Sequence, residues 1–303
     1  MAKIKKILVI GGTGFIGFHV VKEAKSKGML VTSISLHKPI KSRCVKGVNY
    51  LTIDVLDIEK LKKKIKSKFE FVVNAGGYGK HPNFGKDGNK LVNSHFNGLM
   101  NIVDIVDKKN LKKFIQIGSS AEYGKAKPPF KEKDKCFPTT PYGIAKLSCS
   151  NFLQNLNVNY GYPSVILRVF QVYGPNQAQN RILPFIIKKC LKDKEFQTTY
   201  GNQLSDFCHI NDVVKAIFKV LHKKNISGEI FNISSGKPMK IKKVILLVRK
   251  LIGKGKPLFG ALSYKKGMNM KNFPSIKKAK SKLGWKPELK LRDGLIETIK
   301  SYS

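Results

Sequence analysis

The sequence predicts an α/β chain: a doubly wound parallel sheet with a smaller C-terminal α/β domain. Three observations carry this. Short, almost wholly apolar runs alternate with amphipathic, lysine-rich ones up to about residue 175. A glycine cluster, "GGTGFIG", stands where the first apolar run passes into the first amphipathic one. Beyond residue 175 the alternation loosens into helices, short strands and loops. Strands covered on both faces lose their period-two pattern and read as continuous Val/Ile/Leu runs, while the covering helices keep a polar face.

Taken in order, "KILVI" is the first strand and "FIGFHVVKEAKSKG" the first helix. "LVTSIS" and "VNYLTI" follow as strands two and three, then the helix "IEKLKKKIKSK" and the strand "FEFVVN". The helix "LVNSHFNGLMNIVDIVDKKN" leads to the fifth strand, "KKFIQIG", and "PSVILRVF" is the sixth. The opening lysines and apolar run differ from a signal peptide in breaking at glycines after five residues, so they read as a strand. No run reaches the ~18 apolar residues of a membrane span.

Net charge is +39, and only five of the 58 basic residues are arginine. Nucleic-acid readers place arginines for bidentate contacts, whereas these lysines decorate every helical run. A solvated basic surface that attracts small anions is the reading, and a nucleic-acid partner is disfavoured. The five cysteines are scattered, odd in number and without metal-ligand spacing. They predict a reduced, cytoplasmic setting and no metal.

Gly11, Gly14 and Gly17 stand between the first strand and first helix. The turn needs a residue without a Cβ, a pyrophosphate needs close backbone approach, and the helix must start against the strand. Its free N–H groups then face the phosphate. The fold is therefore of the Rossmann type and the ligand a dinucleotide. Residues 1–175 form the dinucleotide domain, with 207–231 returning to it; 176–206 and 232–303 form the second domain. Eighteen residues beyond Gly17, where a carboxylate would hold the NAD ribose, stand Ser35, Leu36, His37 and Lys38. With no acid, and with Ser35, His37 and Lys38 tolerant of a 2′-phosphate, NADP is favoured over NAD.

"FIQIGSSAEYG" ends a strand at Ser119 and Ser120, and "PYGIAK" places Tyr142 four residues ahead of Lys146 on one helix face. With "DVLD" (54–57), "LRVFQVYGP", "LPFIIKKCLK", "SDFCHINDVVKAI", "FNISSGKP" and "LGWKPELKLRDGLIETI", the chain resembles the extended short-chain dehydrogenase/reductase family. Its members include nucleotide-sugar epimerases, dehydratases and ketoreductases. The resemblance spans essentially the whole length.

It implies that Tyr142 is the acid/base, that Lys146 tunes it and holds the nicotinamide ribose, and that Ser119 bonds the same sugar oxygen. A phenol ionises near ~10; a neighbouring ammonium stabilises the phenolate. It further implies cofactor contacts from Phe15, Ile16, Asp54, Val55, Ala75 and Gly76, a nucleoside-diphosphate sugar as substrate, and a homodimer. The 4,6-dehydratases carry an Asp/Glu pair where this chain has Ser120 and Ala121, and Glu122 falls one position late, which disfavours dehydration. A 4-epimerase or 4-ketoreductase remains. The tail "LFGALSYKKGMNM" is similar to members making deoxy sugars for surface polysaccharide.

Substrate contacts are expected from Tyr78 and His81 in "GGYGKHPNFG", and from Ser120, Gln171, Arg181, Tyr200 and Lys265. Family members usually carry arginine at the place of Ser205 and near Lys265, both gripping the diphosphate. This chain has serine and lysine there, a departure that puts the grip in question, with Arg181 and Lys265 as the cations left to serve it. His95, at a position usually Asn, reads as a packing variation. The alternative to an enzyme is a dinucleotide sensor or RNA binder on the same fold; the intact Ser119, Tyr142, Lys146 set argues against it.

Overall fold

The order of strands in the main sheet explains where the site lies. The computed structural model describes residues 4–66, 68–77, 82–265 and 267–303. Elements run β1 (Lys6–Ile10), α1 (Phe15–Ser26), β2 (Leu30–Ser35), β3 (Asn49–Thr52), α2 (Ile58–Lys64) and β4 (Phe71–Asn74). Then come α3 (Gly88–Ile105), β5 (Lys113–Ser119), α4 (Pro141–Tyr160), β6 (Ser164–Val169), β7 (Gln171–Tyr173) and α5 (Ile182–Leu191). β8 (Glu195–Thr198), β9 (Leu204–Ser205), β10 (Phe207–His209), α6 (Ile210–His222) and β11 (Ile230–Ile233) follow. β12 (Met239–Lys240), α7 (Ile241–Ile252), β13 (Lys256–Phe259), β14 (Lys271–Asn272) and α8 (Leu291–Lys300) complete the chain.

One seven-stranded sheet has the order β11-β6-β5-β4-β1-β2-β3. β1 pairs in parallel with β2 and β4, and the β2–β3 and β4–β5 pairs are parallel too. Ile10 stands level with Ile34 on one side and Asn74 on the other. The chain thus winds one way from β1 to β3 and the other from β4 onward. That reversal opens a crevice at the carboxyl ends of β1 and β4, where such sheets take their ligands. The predicted doubly wound sheet is the one observed.

Its strands are apolar because both faces are covered. Leu8, Ile34, Val72, Phe114 and Ile166 pack in one cluster with Leu61, Leu99 and Leu153 from α2, α3 and α4. Each such buried aliphatic stabilises the fold by roughly 1.5–3 kcal/mol. A separate cluster joins Tyr173, Ile187, Phe196, Phe207, Val248 and Leu295.

Contacts divide the chain into two compact units: 1–126, 132–168 and 214–231 in one, 127–131, 169–213 and 232–303 in the other. The first ends at 168 rather than 175 because β7 pairs with β10, and Gln171 N–H donates to Asp206 O at 3.2 Å. The return starts at 214 rather than 207 for the same reason. Residues 127–131 join the second unit because Phe130 N–H donates to Phe273 O and Ser275 N–H to Phe130 O. No helix among the described residues is long and apolar enough to cross a membrane.

Candidate active site

The glycine turn is built by close approach. Gly11 has φ +76°, and a Cβ there would lie 2.7 Å from Gly76 Cα and 2.8 Å from the Ala75 oxygen. A Cβ on Gly17 would lie 2.1 Å from Gly11 O. The turn is therefore pressed against the segment after β4, bringing Gly11, Ala75 and Gly76 together, with Gly76 N–H donating to Asn74 Oδ1. Gly14, exposed, is the N-cap of α1 and offers no side-chain hydrogen bond to the helix start. The first N–H groups, at Phe15, Ile16 and Gly17, belong to an uncapped helix end suited to a phosphate. These residues fit a dinucleotide.

Along the rim, Ser35 ends β2, and its Oγ accepts from Thr13 N–H at 3.2 Å. His37 and Lys38 are exposed beyond it. Asp54 Oδ1 accepts from Leu56 N–H at 3.0 Å, and Val55 packs on Gly98 while its carbonyl accepts from Asn101 Nδ2. Arg43, to which the sequence assigned no role, donates from Nη1 to Thr13 O at 3.1 Å.

The acid/base pair stands on the first turns of α4. Thr140 caps it, its Oγ1 accepting from Gly143 N–H at 3.1 Å, and Pro141 opens the helix with a preset φ. A Cβ on Gly143 would lie 2.5 Å from Ala121 O. Only glycine lets this turn rest on the 3₁₀ turn Ser120–Glu122, which follows Ser119. Lys146 is buried, donates from Nζ to Ile117 O at 3.0 Å, and sits 5.8 Å from the Tyr142 ring centroid. Ser119 accepts from Ala121 N–H through Oγ.

Beneath this turn lies an ion pair. Glu122, fully buried, accepts from Ser119 N–H and Ser150 Oγ, and from Arg168 Nε at 2.7 Å. Burial pulls the Arg168 pKa down, but the Glu122 carboxylate, with Tyr123 and Cys136, outweighs it and the net direction is up. Glu122 is thereby consumed by the interior and does not reach a substrate. On the other side, His95 does more than pack. Its ring meets the Tyr142 ring edge-on at 5.5 Å and 72°, and a Cβ on Gly77 would lie 1.9 Å from it. Cys149, its thiol pushed up to about 12 by burial, donates to His95 O.

Of the expected substrate contacts, Ser120 stands half-buried in the 3₁₀ turn. Tyr78 and His81 lie outside the described residues. In the second unit, Gln171 opens β7, Arg181 is the N-cap of α5, and both are exposed. Tyr200 is exposed with its ring against Gly260, and Lys265 is exposed in the loop after β13. That loop folds back on the Tyr200 segment: Gly260 and Leu262 N–H groups donate to Thr198 O, and Asn202 N–H to Tyr264 Oη. Ser205 is buried in β9, between β12 and β14. Among the described residues no group of three or more His, Cys, Asp or Glu could hold a metal.

An uncapped helix start after a glycine turn, with a tyrosine–lysine pair beyond β5, defines a dinucleotide-dependent oxidoreductase of the extended short-chain dehydrogenase/reductase class. Residues 7–234 match the NAD dependent epimerase/dehydratase family, and the chain belongs to it. It is 30% identical to a putative UDP-glucose 4-epimerase of Methanocaldococcus jannaschii, over 97% of each chain. Among solved structures, it is similar to the UDP-glucose 4-epimerase of Thermotoga maritima, determined with UDP-glucose (TM-score 0.90, 25% identity, 98% of each chain). It is also similar to the UDP-glucuronic acid 4-epimerase of Bacillus cereus, in complex with UDP-glucuronic acid and NAD (TM-score 0.86, 28% identity, 98% of each chain).

Proposed function

We propose that the chain interconverts or reduces nucleoside-diphosphate hexoses at a single sugar carbon, C4, with Tyr142 as acid/base. The observation that carries this is the buried Lys146 ammonium beside the Tyr142 ring, on a helix turn docked against the 3₁₀ turn that follows Ser119. When bound, the nicotinamide ring supplies a reversible hydride acceptor. Gly11, Gly14 and the start of α1 would hold its pyrophosphate, and Lys146 its ribose. Tyr142 takes the proton from the sugar hydroxyl as that oxygen becomes a carbonyl and returns it on reduction; the nearby cation favours the phenolate. Ser119 orients the same oxygen. UDP-sugars, which the two similar epimerase structures carry, are the first substrates to test.

A second reading, net 4-keto reduction with NADPH, is favoured by the residue at 35. No carboxylate holds the ribose or repels a 2′-phosphate there. The C-terminal "LFGALSYKKGMNM" supports a role in synthesising deoxy sugars for surface polysaccharide. A homodimer belongs to the same proposal and is checked by the solution mass.

The test is turnover by purified protein. UDP-glucose and UDP-glucuronate with NAD, and 4-keto nucleotide sugars with NADPH and NADH, are followed by NMR of the products. Inversion at C4 without net cofactor consumption supports the epimerase; stoichiometric oxidation of NADPH supports the reductase. No conversion of any nucleotide sugar overturns both. Ser35→Asp is expected to move preference toward NAD(H), each new contact or repulsion being worth ~1 kcal/mol or more.

A further inference from the structure

Glu122 is fully buried, yet its carboxylate joins the strand that ends at Ser119 to the helix that carries Tyr142. One oxygen, Oε1, accepts the Ser119 N–H at 2.8 Å, at the end of β5. The other, Oε2, accepts from Ser150 Oγ on α4 at 2.8 Å and from Arg168 Nε on β6 at 2.7 Å. Tyr142, Lys146 and Ser150 follow one another at intervals of four, so they share one face of α4. That face is tied to the end of β5 twice, by Lys146 Nζ on Ile117 O and by Ser150 on Glu122. Ser119 Oγ accepts in turn from Ala121 N–H, completing a capping box that closes the 3₁₀ turn on which Gly143 rests. Room for the carboxylate comes from Gly118, where a Cβ would lie 2.5 Å from Glu122 Oε1. Arg168 is fixed as well, its guanidinium carbon 4.6 Å from the centroid of the Tyr123 ring.

We propose that Glu122 is a positioning residue: its carboxylate sets the spacing between Ser119 on β5 and Tyr142 on α4, and Arg168 keeps that carboxylate ionised and in place. Stability alone does not call for such a pair, because apolar side chains of similar volume often serve a fold as well or better. What they do not supply is one acceptor that fixes a backbone N–H and a helix hydroxyl together. Bonds to an ionised acceptor are shorter and about twice as strong as neutral ones, so they hold that spacing tightly. Proton transfer at a sugar oxygen shared by Ser119 and Tyr142 depends on it, since a displacement of about 1 Å can cost ~10²-fold in rate. This rests on the acid/base reading above.

The test compares two double variants, Glu122→Leu/Arg168→Met and Glu122→Gln/Arg168→Met. Both remove the charges, and only glutamine keeps an oxygen for the Ser119 N–H. Urea denaturation, calorimetric affinity for NAD(H), and kcat and KM on the nucleotide sugar that wild type converts are measured for each. The leucine variant is expected to lose ~10-fold or more in kcat, with KM and dinucleotide affinity within ~2-fold of wild type. The glutamine variant is expected to recover most of that kcat. Equal kcat in the two variants makes the pair a scaffold only and overturns the proposal. A loss shared by kcat, KM and dinucleotide affinity means general distortion and overturns it too. Where the leucine variant proves poorly folded, Ser150→Ala is read instead: it removes only the link to α4 and is expected to lower kcat ~3-fold at unchanged KM. An unchanged kcat there overturns the proposal. Wild-type protein that converts no nucleotide sugar overturns the functional reading and this inference with it, whereas the other failures leave that reading standing.

Discussion

The two units differ in how they hold their candidate residues. In the first, Lys146 and Ser119 are buried and bonded to backbone, and Tyr142 is seated by a capped helix turn that only a glycine allows so close. In the second, Gln171, Arg181, Tyr200 and Lys265 are all exposed, Tyr200 at 61%. Proton transfer needs its groups held to within a fraction of an ångström, so the interior is recruited to fix them. Binding a flexible, charged ligand tolerates long side chains at the surface. The first unit is therefore expected to fail by large steps when altered, and the second by small ones.

The largest step is predicted beneath the site. Arg168→Met leaves the Glu122 carboxylate buried without its cation, which costs about 3–5 kcal/mol of stability. Urea denaturation is the measurement, and a loss below about 1 kcal/mol would show that the pair does not support the Ser120–Glu122 turn. Glu122→Gln combined with Arg168→Met should recover part of the loss, since no uncompensated charge then remains.

Next in size is Tyr142→Phe. Only the phenolic oxygen is removed, so the protein should keep its melting temperature and its affinity for dinucleotide while turnover drops ~10²-fold or more. Near-normal turnover would contradict the acid/base role. Tyr200→Ala tests the other unit. If Tyr200 lies against the nucleotide base, KM should rise roughly tenfold with kcat little changed. A fall in kcat with unchanged KM would place that residue in the chemistry and erase the contrast between the units.

The same contrast separates what was legible in the sequence from what was not. Gly11, Gly17 and the Tyr142–Lys146 spacing announce themselves because the backbone itself demands those residue types at those intervals. Arg43 does not, because its contact with Thr13 depends on how the β2–β3 connection folds back, and nothing local in "KPIKSRC" encodes that. His95 was readable as buried, but its edge-on contact with Tyr142 arises from the packing of α3 on α4. Glu122 looked like a misplaced acid until its partner, Arg168, 46 residues away, came into view. The unit boundary at 168 depends likewise on the pairing of β7 with β10. The exposed residues of the second unit obey no such local rule, so their roles follow from resemblance more than from spacing.

The smallest predicted effect is a pH dependence of stability that arises in the second unit. His209 is buried beside Tyr173, and burial pushes it below its usual value, while Glu297 at 3.8 Å and Asp212 oppose the shift. Its Nδ1 accepts from Asn211 N–H at 3.4 Å, which requires that nitrogen to be unprotonated. The folded protein therefore keeps His209 neutral at a pH where the unfolded chain protonates it, below about 6.5. There the unfolded state binds more protons, and stability falls as pH falls. Because the two carboxylates oppose burial, the slope should stay well under the one-proton ceiling of ~1.4 kcal/mol per pH unit. Urea denaturation of wild type and His209→Gln between pH 8 and 5 checks this: the variant, which cannot titrate, should lose stability less steeply below about 6.5. A steeper loss in the variant would mean that Glu297 and Asp212 win, and that His209 is charged in the fold.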